Sequence, residues 1–341
     1  MNEKILILKN DRAGDLFTSL KVISTLILLN RNITLYLSEL NIGFSFLFKN
    51  IRINKTNFNL SILNKANIFF DILFNKYHKI YILSPKSFYF FLPLIFKNIK
   101  FYAIVYNGGK KNRPSVFLRK FLYKYKTIYR NKINYKSYRD LQLELLESDN
   151  IIDHNYSSLN IPKIPIKLKK ILPKKFLLFQ FRAKFFTELG WGISEFNYLI
   201  YALKKKYKFI LFSSDIENNK STDYFNQFFI KNFSLIKTNK NLKIINKKNL
   251  DIFYLDKIDS INLFFLLKES SINLAKEGIY SHISYFHKKK CHNLFNFPIN
   301  TIEDVNHQKI SYSEWCKGMN YKFSFLNSDI KKAVRKILKN I

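Results

Sequence analysis

Lys4–Leu26, KILILKNDRAGDLFTSLKVISTL, decides the fold. Lys4 to Leu8 is almost all apolar, which predicts a short strand buried on both faces. Lys9-Asn10-Asp11-Arg12-Ala13-Gly14-Asp15 then breaks the run with polar and small residues. From Leu16 the apolar positions fall at 16, 17, 20, 23, 26 and 27, which is helical spacing. The chain therefore opens strand, tight loop, helix. In an open α/β sheet the loop after the first strand lies at the carboxyl edge, where ligands bind. A helix starting just after Gly14 aims backbone N–H groups and about half a positive charge at that edge.

Asp15 has two readings. One is a first-turn acid that complements the helix dipole, worth roughly 0.3–1 kcal/mol. The other is a carboxylate placed to take a proton from a hydroxyl nucleophile. Gly14 is either an ordinary turn glycine or a place where a ligand can approach the backbone closely. No cofactor motif accompanies them: neither G-x-G-x-x-G nor G-x-x-x-x-G-K-[ST] occurs anywhere in the chain.

Working outward, strands are predicted at Ile33–Leu37, Lys79–Leu83 and Lys100–Val105. Between them 58–74 carries apolar residues at mixed spacing with room for a helix, and the aromatic and apolar stretch Ser87–Phe96 is expected to be helical. Strands alternating with helices argue a parallel α/β sheet. Lys110–Arg139 stands apart, with eleven Lys or Arg, no acid, and Tyr and Phe interleaved. It reads as a lipid-interfacial segment, as a nucleic-acid surface, or as a solvated basic helix. Ile161-Pro162-Lys163-Ile164-Pro165 begins the best linker in the chain. The predicted domains are 1–160 and 176–341, with 161–175 joining them. The pattern restarts with strands at Phe176–Phe181, Tyr207–Phe212, Leu250–Leu255, Ser271–Ala275 and Cys291–Phe295. Helices are expected at Ser194–Tyr207 (capped by Ser194), Tyr224–Asn232, Ile258–Lys268, Ser281–His287 and Ser328–Lys339. Two α/β halves joined by a linker put a cleft between them, the usual ligand site.

The bulk properties narrow the function classes. The chain has 341 residues, 47% of them hydrophobic, enough for two cores. With 58 Lys+Arg against 24 Asp+Glu, the net charge is +34 and points to anionic partners. Part of that excess is a compositional bias, because Lys, Asn, Ile and Phe are abundant throughout. Two cysteines, Cys291 and Cys316, make no disulfide framework or metal-ligand spacing and fit a reducing compartment. The N-terminus does not read as a signal peptide. The longest apolar run, Phe88–Phe96, is far short of the ~20 residues of a membrane span. The expectation is a cytoplasmic protein, peripheral at the inner membrane face.

A second strand, glycine loop and helix start occurs at Glu277-Gly278-Ile279-Tyr280-Ser281-His282. Free N–H groups at such a helix start suit a phosphate. Glu277 suits sugar or ribose hydroxyls. His282 either donates to a phosphate or packs against the sheet.

Lys9, Gly14 and Asp15, after an apolar strand and before an apolar helix, resemble the opening motif of glycosyltransferase family 9, which contains the ADP-heptose:lipopolysaccharide heptosyltransferases. Glu277, Gly278 and His282 are similar to that family's late motif, an acid, then Gly, then His four residues on. The resemblance implies two Rossmann-like domains facing across a cleft, the GT-B fold, with acceptor bound by the first and nucleotide-sugar by the second. It implies inverting transfer of a heptose or related sugar, an ADP-sugar donor for preference, without a metal, onto a lipopolysaccharide or other cell-envelope glycan. Asp15 corresponds to the general base and Lys9 to a basic group near the phosphates. The family also has a basic residue before a Trp. Here Trp191 is kept but Leu189 takes the basic position, so Arg182 or Lys184 substitutes, and the Pro that usually follows the Trp is missing. The rival reading is a non-catalytic basic protein for RNA or anionic membrane surfaces, although no RNA-binding motif is present.

Overall fold

The computed structural model describes residues 3–30, 32–107, 114–129, 133–147, 151–214, 227–228, 231–237, 243–245, 251–256, 258–276, 278–296, 313–319 and 321–341. Contacts divide the chain into two compact units: Met1–Pro162 with Thr301–Gly318, and Lys163–Asn300 with Met319–Ile341.

The first unit is built on six strands, β1 (Ile5–Lys9), β2 (Ile33–Ser38), β3 (Arg52–Thr56), β4 (Lys79–Ile82), β5 (Lys100–Asn107) and β6 (Lys124–Tyr129). Their order is β3-β2-β1-β4-β5-β6, and every pairing is parallel. All five residues of β1 are buried, as an apolar run covered on both faces requires. The order reverses direction between β1 and β4, and the carboxyl ends of those two strands form the switch point where such sheets bind ligands. Helix α1 (Ala13–Leu29) leads away from β1. Helix α2 (Ile62–Asn75) is fixed at its start by a reciprocal Ser61–Asn64 capping box.

α1 carries a polar seam as well as an apolar one. Thr25 Oγ1 donates to the Lys21 carbonyl at 2.7 Å and accepts from the Asp153 N–H at 3.0 Å. Ser19 Oγ donates to Gln142 Oε1 at 2.6 Å. Buried hydroxyls satisfied in this way fix the helix's rotation.

Lys110–Arg139 is no continuous helix. Within it Val116–Arg119 is one helical turn, 124–129 is the edge strand β6, and a new helix starts at Tyr138. Residues 108–113 and 130–132 lie outside the described residues. The alternation Lys-Tyr-Lys-Thr-Ile-Tyr, with Ile128 buried, is what an edge strand paired on one side calls for. The 161–175 stretch carries a short helix, Ile166–Ile171, rather than an open tether.

The sequence reading puts all of 176–341 in the second domain, whereas Thr301–Gly318 groups with the first unit. The reason is specific. Glu314 Oε2 accepts from the Asn134 N–H at 2.8 Å, and Lys317 Nζ donates to the Asn134 carbonyl at 2.8 Å. Arg139 Nη1 donates to the Trp315 carbonyl at 3.2 Å, and the Trp315 ring meets Tyr138 edge-on at 4.5 Å.

The second unit has β7 (Leu177–Phe181), β8 (Ile210–Ser214), β9 (Ser234–Lys237), β10 (Lys243–Ile245), β11 (Ile252–Asp256), β12 (Ile272–Lys276), β13 (Cys291–Asn296) and β14 (Tyr321–Leu326). The order is β10-β9-β11-β8-β7-β12-β13-β14, parallel except for β10 against β9. Here the switch point lies between β7 and β12. Its core is rich in Phe, with Phe196 edge-on to Phe181 and Phe186 at 5.4 and 5.2 Å. Trp191 belongs to this core: it is buried, stacks on Phe186 at 5.8 Å, and donates to the Ser328 carbonyl at 3.2 Å. The helix expected from Ser194 begins at Ile193. Its N-cap is Gly192, whose N–H donates to Glu195 Oε2 at 2.9 Å, and Ser194 Oγ donates to the same oxygen. Of Tyr224–Asn232, residues 227–228 and 231–232 are described, and they are helical.

Two buried imidazoles make this unit acid-sensitive. Burial, aided by Lys268 and Lys289, pushes His287 from 6.5 down to about 3, and its Nε2 lies 3.1 Å from the Phe264 carbonyl oxygen. Burial pushes His292 down to about 4. Folded-state values below the unfolded one mean that the unfolded chain binds the extra protons. This source of stability is therefore complete above about pH 6.5 and is lost as pH falls toward 4 and 3. Thermal melts from pH 7 to pH 4 should show a falling Tm. The fall should be shallower in His287→Gln/His292→Gln, and an equal slope in that variant would refute the assignment.

Candidate functional site

At the switch point of the first unit the chain leaves β1 through Lys9, Asn10 and Asp11. Lys9 is 1% exposed. Its Nζ contacts Asp11 Oδ2 at 2.7 Å and the Leu83 carbonyl at 3.2 Å, tying the ends of β1 and β4 together. Asn41 Nδ2 donates to the Lys9 carbonyl, and Ser38 Oγ to the Asp11 carbonyl. Asn10 is held by Tyr89 OH at 2.9 Å. The loop is thus braced from β2, β4 and the Tyr89 turn. Lys9, expected near bound phosphates, here spends its ammonium on Asp11 and the Leu83 carbonyl.

Asp15 and Gly14 sit in the first turn of α1, which begins at Ala13 with Arg12 as N-cap. Gly14 has helical backbone and is not a loop glycine, so its value is the absence of a side chain rather than an unusual φ. Asp15 is partly exposed, and its carbonyl accepts from Thr18 Oγ1 at 2.6 Å. A carboxylate in a helix's first turn at the carboxyl edge of a parallel sheet can take a proton from a hydroxyl presented there.

Sequence reasoning missed Lys86. It follows Ser84-Pro85 at the carboxyl end of β4, on the other side of the switch point. Its ammonium lies 3.9 Å over the Phe58 ring. Burial draws its pKa down, countered by the nearby Asp11 and Asp15 carboxylates. Lys86 is thus a half-buried cation in the field of Asp15. Its signal was available in the sequence, as the first cation after a strand that ends in Ser-Pro.

In the second unit the structure brings Arg182, Lys184, Gly278 and His282 to one edge, because β7 and β12 are neighbours and both segments follow their carboxyl ends. Arg182 is half-buried and caps the helix Ala183–Glu188. Lys184 is exposed and pairs loosely with Glu188 at 3.8 Å. Lys276, also missed, closes β12 with its ammonium 5.6 Å from the Phe185 ring. Gly278 has φ 124° and ψ −139° and is the N-cap of the helix Ile279–Phe286. L side chains rarely adopt that φ, which explains a glycine there. His282 is 8% exposed, one turn into that helix. Tyr280 OH and Ser213 Oγ share a 2.6 Å hydrogen bond that ties the helix to β8. Glu277 lies outside the described residues.

A cavity of about 610 Å³ is lined by Lys21, Lys124, Lys126, Lys136, Glu144 and His154, three of them from the basic stretch Lys110–Arg139. Glu144 takes up Lys126 and Lys136 at 2.6 and 2.8 Å. Burial raises its carboxyl, but those hydrogen bonds prevail and hold it down to about 2. Lys126, Glu144 and Lys136 form one ion-paired network at this cavity. Among the described residues no group of three or more His, Cys, Asp or Glu is placed to hold a metal ion.

No family model matches the sequence, and no curated protein matches it. Solved structures do. The glycosyl transferase family 9 structure from Veillonella parvula matches with TM-score 0.62 and 13% identity, over 100% of this chain and 91% of that one. The E. coli heptosyltransferase WaaC with ADP matches with TM-score 0.59 and 11% identity, over 98% and 97%. The UDP-GlcNAc 2-epimerase from Methanocaldococcus jannaschii matches with TM-score 0.56 and 13% identity, over 98% and 92%. The fold is therefore α/β with two Rossmann-like units, of the GT-B class, and it is the fold of family 9.

Proposed function

We propose that the protein is a glycosyltransferase that moves a heptose or related sugar from a nucleotide-sugar, an ADP-sugar for preference, to a lipopolysaccharide precursor or other cell-envelope glycan. The observation that carries this reading is Asp15, a partly exposed carboxylate in the first turn of α1, at the switch point of a sheet whose fold is shared with heptosyltransferases. Fold alone does not select the activity, since an epimerase shares it. Asp15 takes the proton of an acceptor hydroxyl. That oxygen attacks the anomeric carbon, the bond from that carbon to the nucleoside diphosphate oxygen breaks, and configuration inverts. Lys86 replaces Lys9 as the cation beside the base.

In the second unit, Arg182, Lys184, the backbone at Gly278, and His282 receive the diphosphate, whose leaving charge they stabilise. Glu277 takes sugar or ribose hydroxyls. The transfer proceeds without a metal ion, at the cytoplasmic side of the membrane.

Calorimetric titration with ADP, GDP, UDP and CDP, with and without EDTA, tests the donor half. One nucleotide should bind selectively, with affinity unchanged by chelator and weakened by Glu277→Ala. Absence of selective binding, together with tight salt-dependent association with RNA, would favour the binding-protein reading suggested by the +34 charge.

A further inference from the structure

We propose that the α2 face of the first unit docks on a bilayer surface rich in anionic lipid. The inference is independent of the transferase chemistry, since an inactive protein with this face would dock equally.

α2 is apolar on both sides. Ile68 and Ile72 are buried against the sheet. The outer side carries Leu63, Phe70, Leu73 and Phe74 at helical spacing, with Leu63 69% and Phe74 73% exposed. An exposed apolar face of this extent, even beside Asn64, Lys65 and Asn67, belongs in a covered setting. The apolar surface also continues beyond α2. Phe70 stacks on Phe74 at 6.0 Å and meets Phe69 at 5.8 Å, and Phe69 reaches Phe96 at 5.2 Å. Further on, Phe91, Leu94 and Phe117 line a cavity of about 430 Å³, and Phe117 packs on Phe121 at 5.1 Å.

Charge identifies the occupant. Residues 40–139 contain 20 Lys or Arg and a single acid, Asp71. That acid is turned inward, with its side chain 7% exposed and bonded by Tyr77 OH and Asn75 Nδ2. Although Lys79, Lys100, Lys126 and Lys136 pair with Glu3, Glu144 and Glu147 from outside that stretch, the cations stay in large excess. Lys76, Lys97 and Lys120 stand exposed among the apolar residues. Apolar side chains at the depth of the acyl boundary, with ammonium groups reaching back to lipid phosphates, are the pattern of an interfacial surface. A second copy of the chain fits poorly, because a two-fold contact would set this cationic rim against itself. Single-stranded nucleic acid would use the rings of this face but not its exposed aliphatic Ile62, Leu63, Leu73 and Ile95, which offer a base nothing to stack on. Among the described residues no helix is long and apolar enough to cross a membrane, so the contact is at the surface.

The test is sedimentation of the full chain with phosphatidylcholine vesicles, with and without phosphatidylglycerol. The protein should partition onto the anionic vesicles only. Phe70→Ser/Phe74→Ser and Lys97→Gln/Lys120→Gln should each lower the partition coefficient about tenfold or more with unchanged thermal melts. Tyr201→Ser, an exposed ring in the second unit, should bind as wild type. If the Phe variant melts early, the Lys variant carries the test. Three results would overturn the proposal: no binding to anionic vesicles, a Phe variant that melts normally and binds like wild type, or a wild-type dimer that the Phe substitutions turn into a monomer.

Discussion

Asp15→Asn should lower the rate of sugar transfer by about 10²–10⁴-fold, the range that a positioned general base supplies. The substitution keeps the side chain's shape and changes only its proton affinity. The helix loses a dipole-complementing charge worth roughly 0.3–1 kcal/mol. At about 2–4 °C per kcal/mol for a unit of this size, Tm should fall by no more than a few degrees. Nucleotide binding should persist, because the residues proposed to hold the diphosphate are in the other unit. Paired assays of transfer and nucleotide titration on one preparation therefore separate a lost base from a lost fold. Full activity in Asp15→Asn would remove Asp15 from the mechanism and return it to the role of a first-turn helix acid.

Lys9→Met should be the most destabilising single change in the first unit. It removes the ammonium that holds Asp11 Oδ2 at 2.7 Å and the Leu83 carbonyl at 3.2 Å, 1% exposed to water. The other carboxylate oxygen, Asp11 Oδ1, already lacks a hydrogen-bond partner among the described residues, so the acid has nothing to fall back on. Breaking one side of a buried pair costs about 3–5 kcal/mol, whereas replacing both sides by apolar groups is often neutral. Melts should show a drop of roughly 6–20 °C for Lys9→Met. Most of it should be recovered in Lys9→Met/Asp11→Leu. A small drop in the single variant would mean that water reaches Asp11 and that the pair is not the clamp between β1 and β4 described above.

The parallel α/β architecture was legible because β1, β4, β5 and β7 are apolar runs with clean boundaries, and α1 keeps helical spacing over its whole length. Strands with less to bury were not legible. β3 reads Arg-Ile-Asn-Lys-Thr and has only Thr56 buried, since it pairs on one side alone. β6 hid inside a basic stretch whose lysine count drew attention away from its alternation. The candidate site was legible as motifs and not as contacts. Gly14 and Asp15 were found at the sheet edge, and Gly278 at the other. The internal pairing of Lys9 was not legible, because nothing in the sequence shows that the turn after β1 brings Asp11 Oδ2 back to its ammonium. Lys86 and Lys276 were missed because each is an isolated lysine in a lysine-rich chain. Only the neighbouring strand ends mark them out, and those are set by topology.

The bonds from Glu314, Trp315 and Lys317 back to Asn134 and Arg139 have a consequence for the order of assembly. They buttress the segment that leads into the helix Tyr138–Leu143, whose Gln142 receives the hydroxyl of Ser19, four residues beyond Asp15 on α1. A ribosome delivers Asp15 well before its bracing, with most strands of the second unit in between. The first unit is therefore completed only after seven of the eight strands of the second sheet have emerged, with β14 and the helix Ile330–Asn340 still to come. Until residues 314–317 arrive, the nascent first unit holds its proposed base on a helix whose far-side support is unfinished.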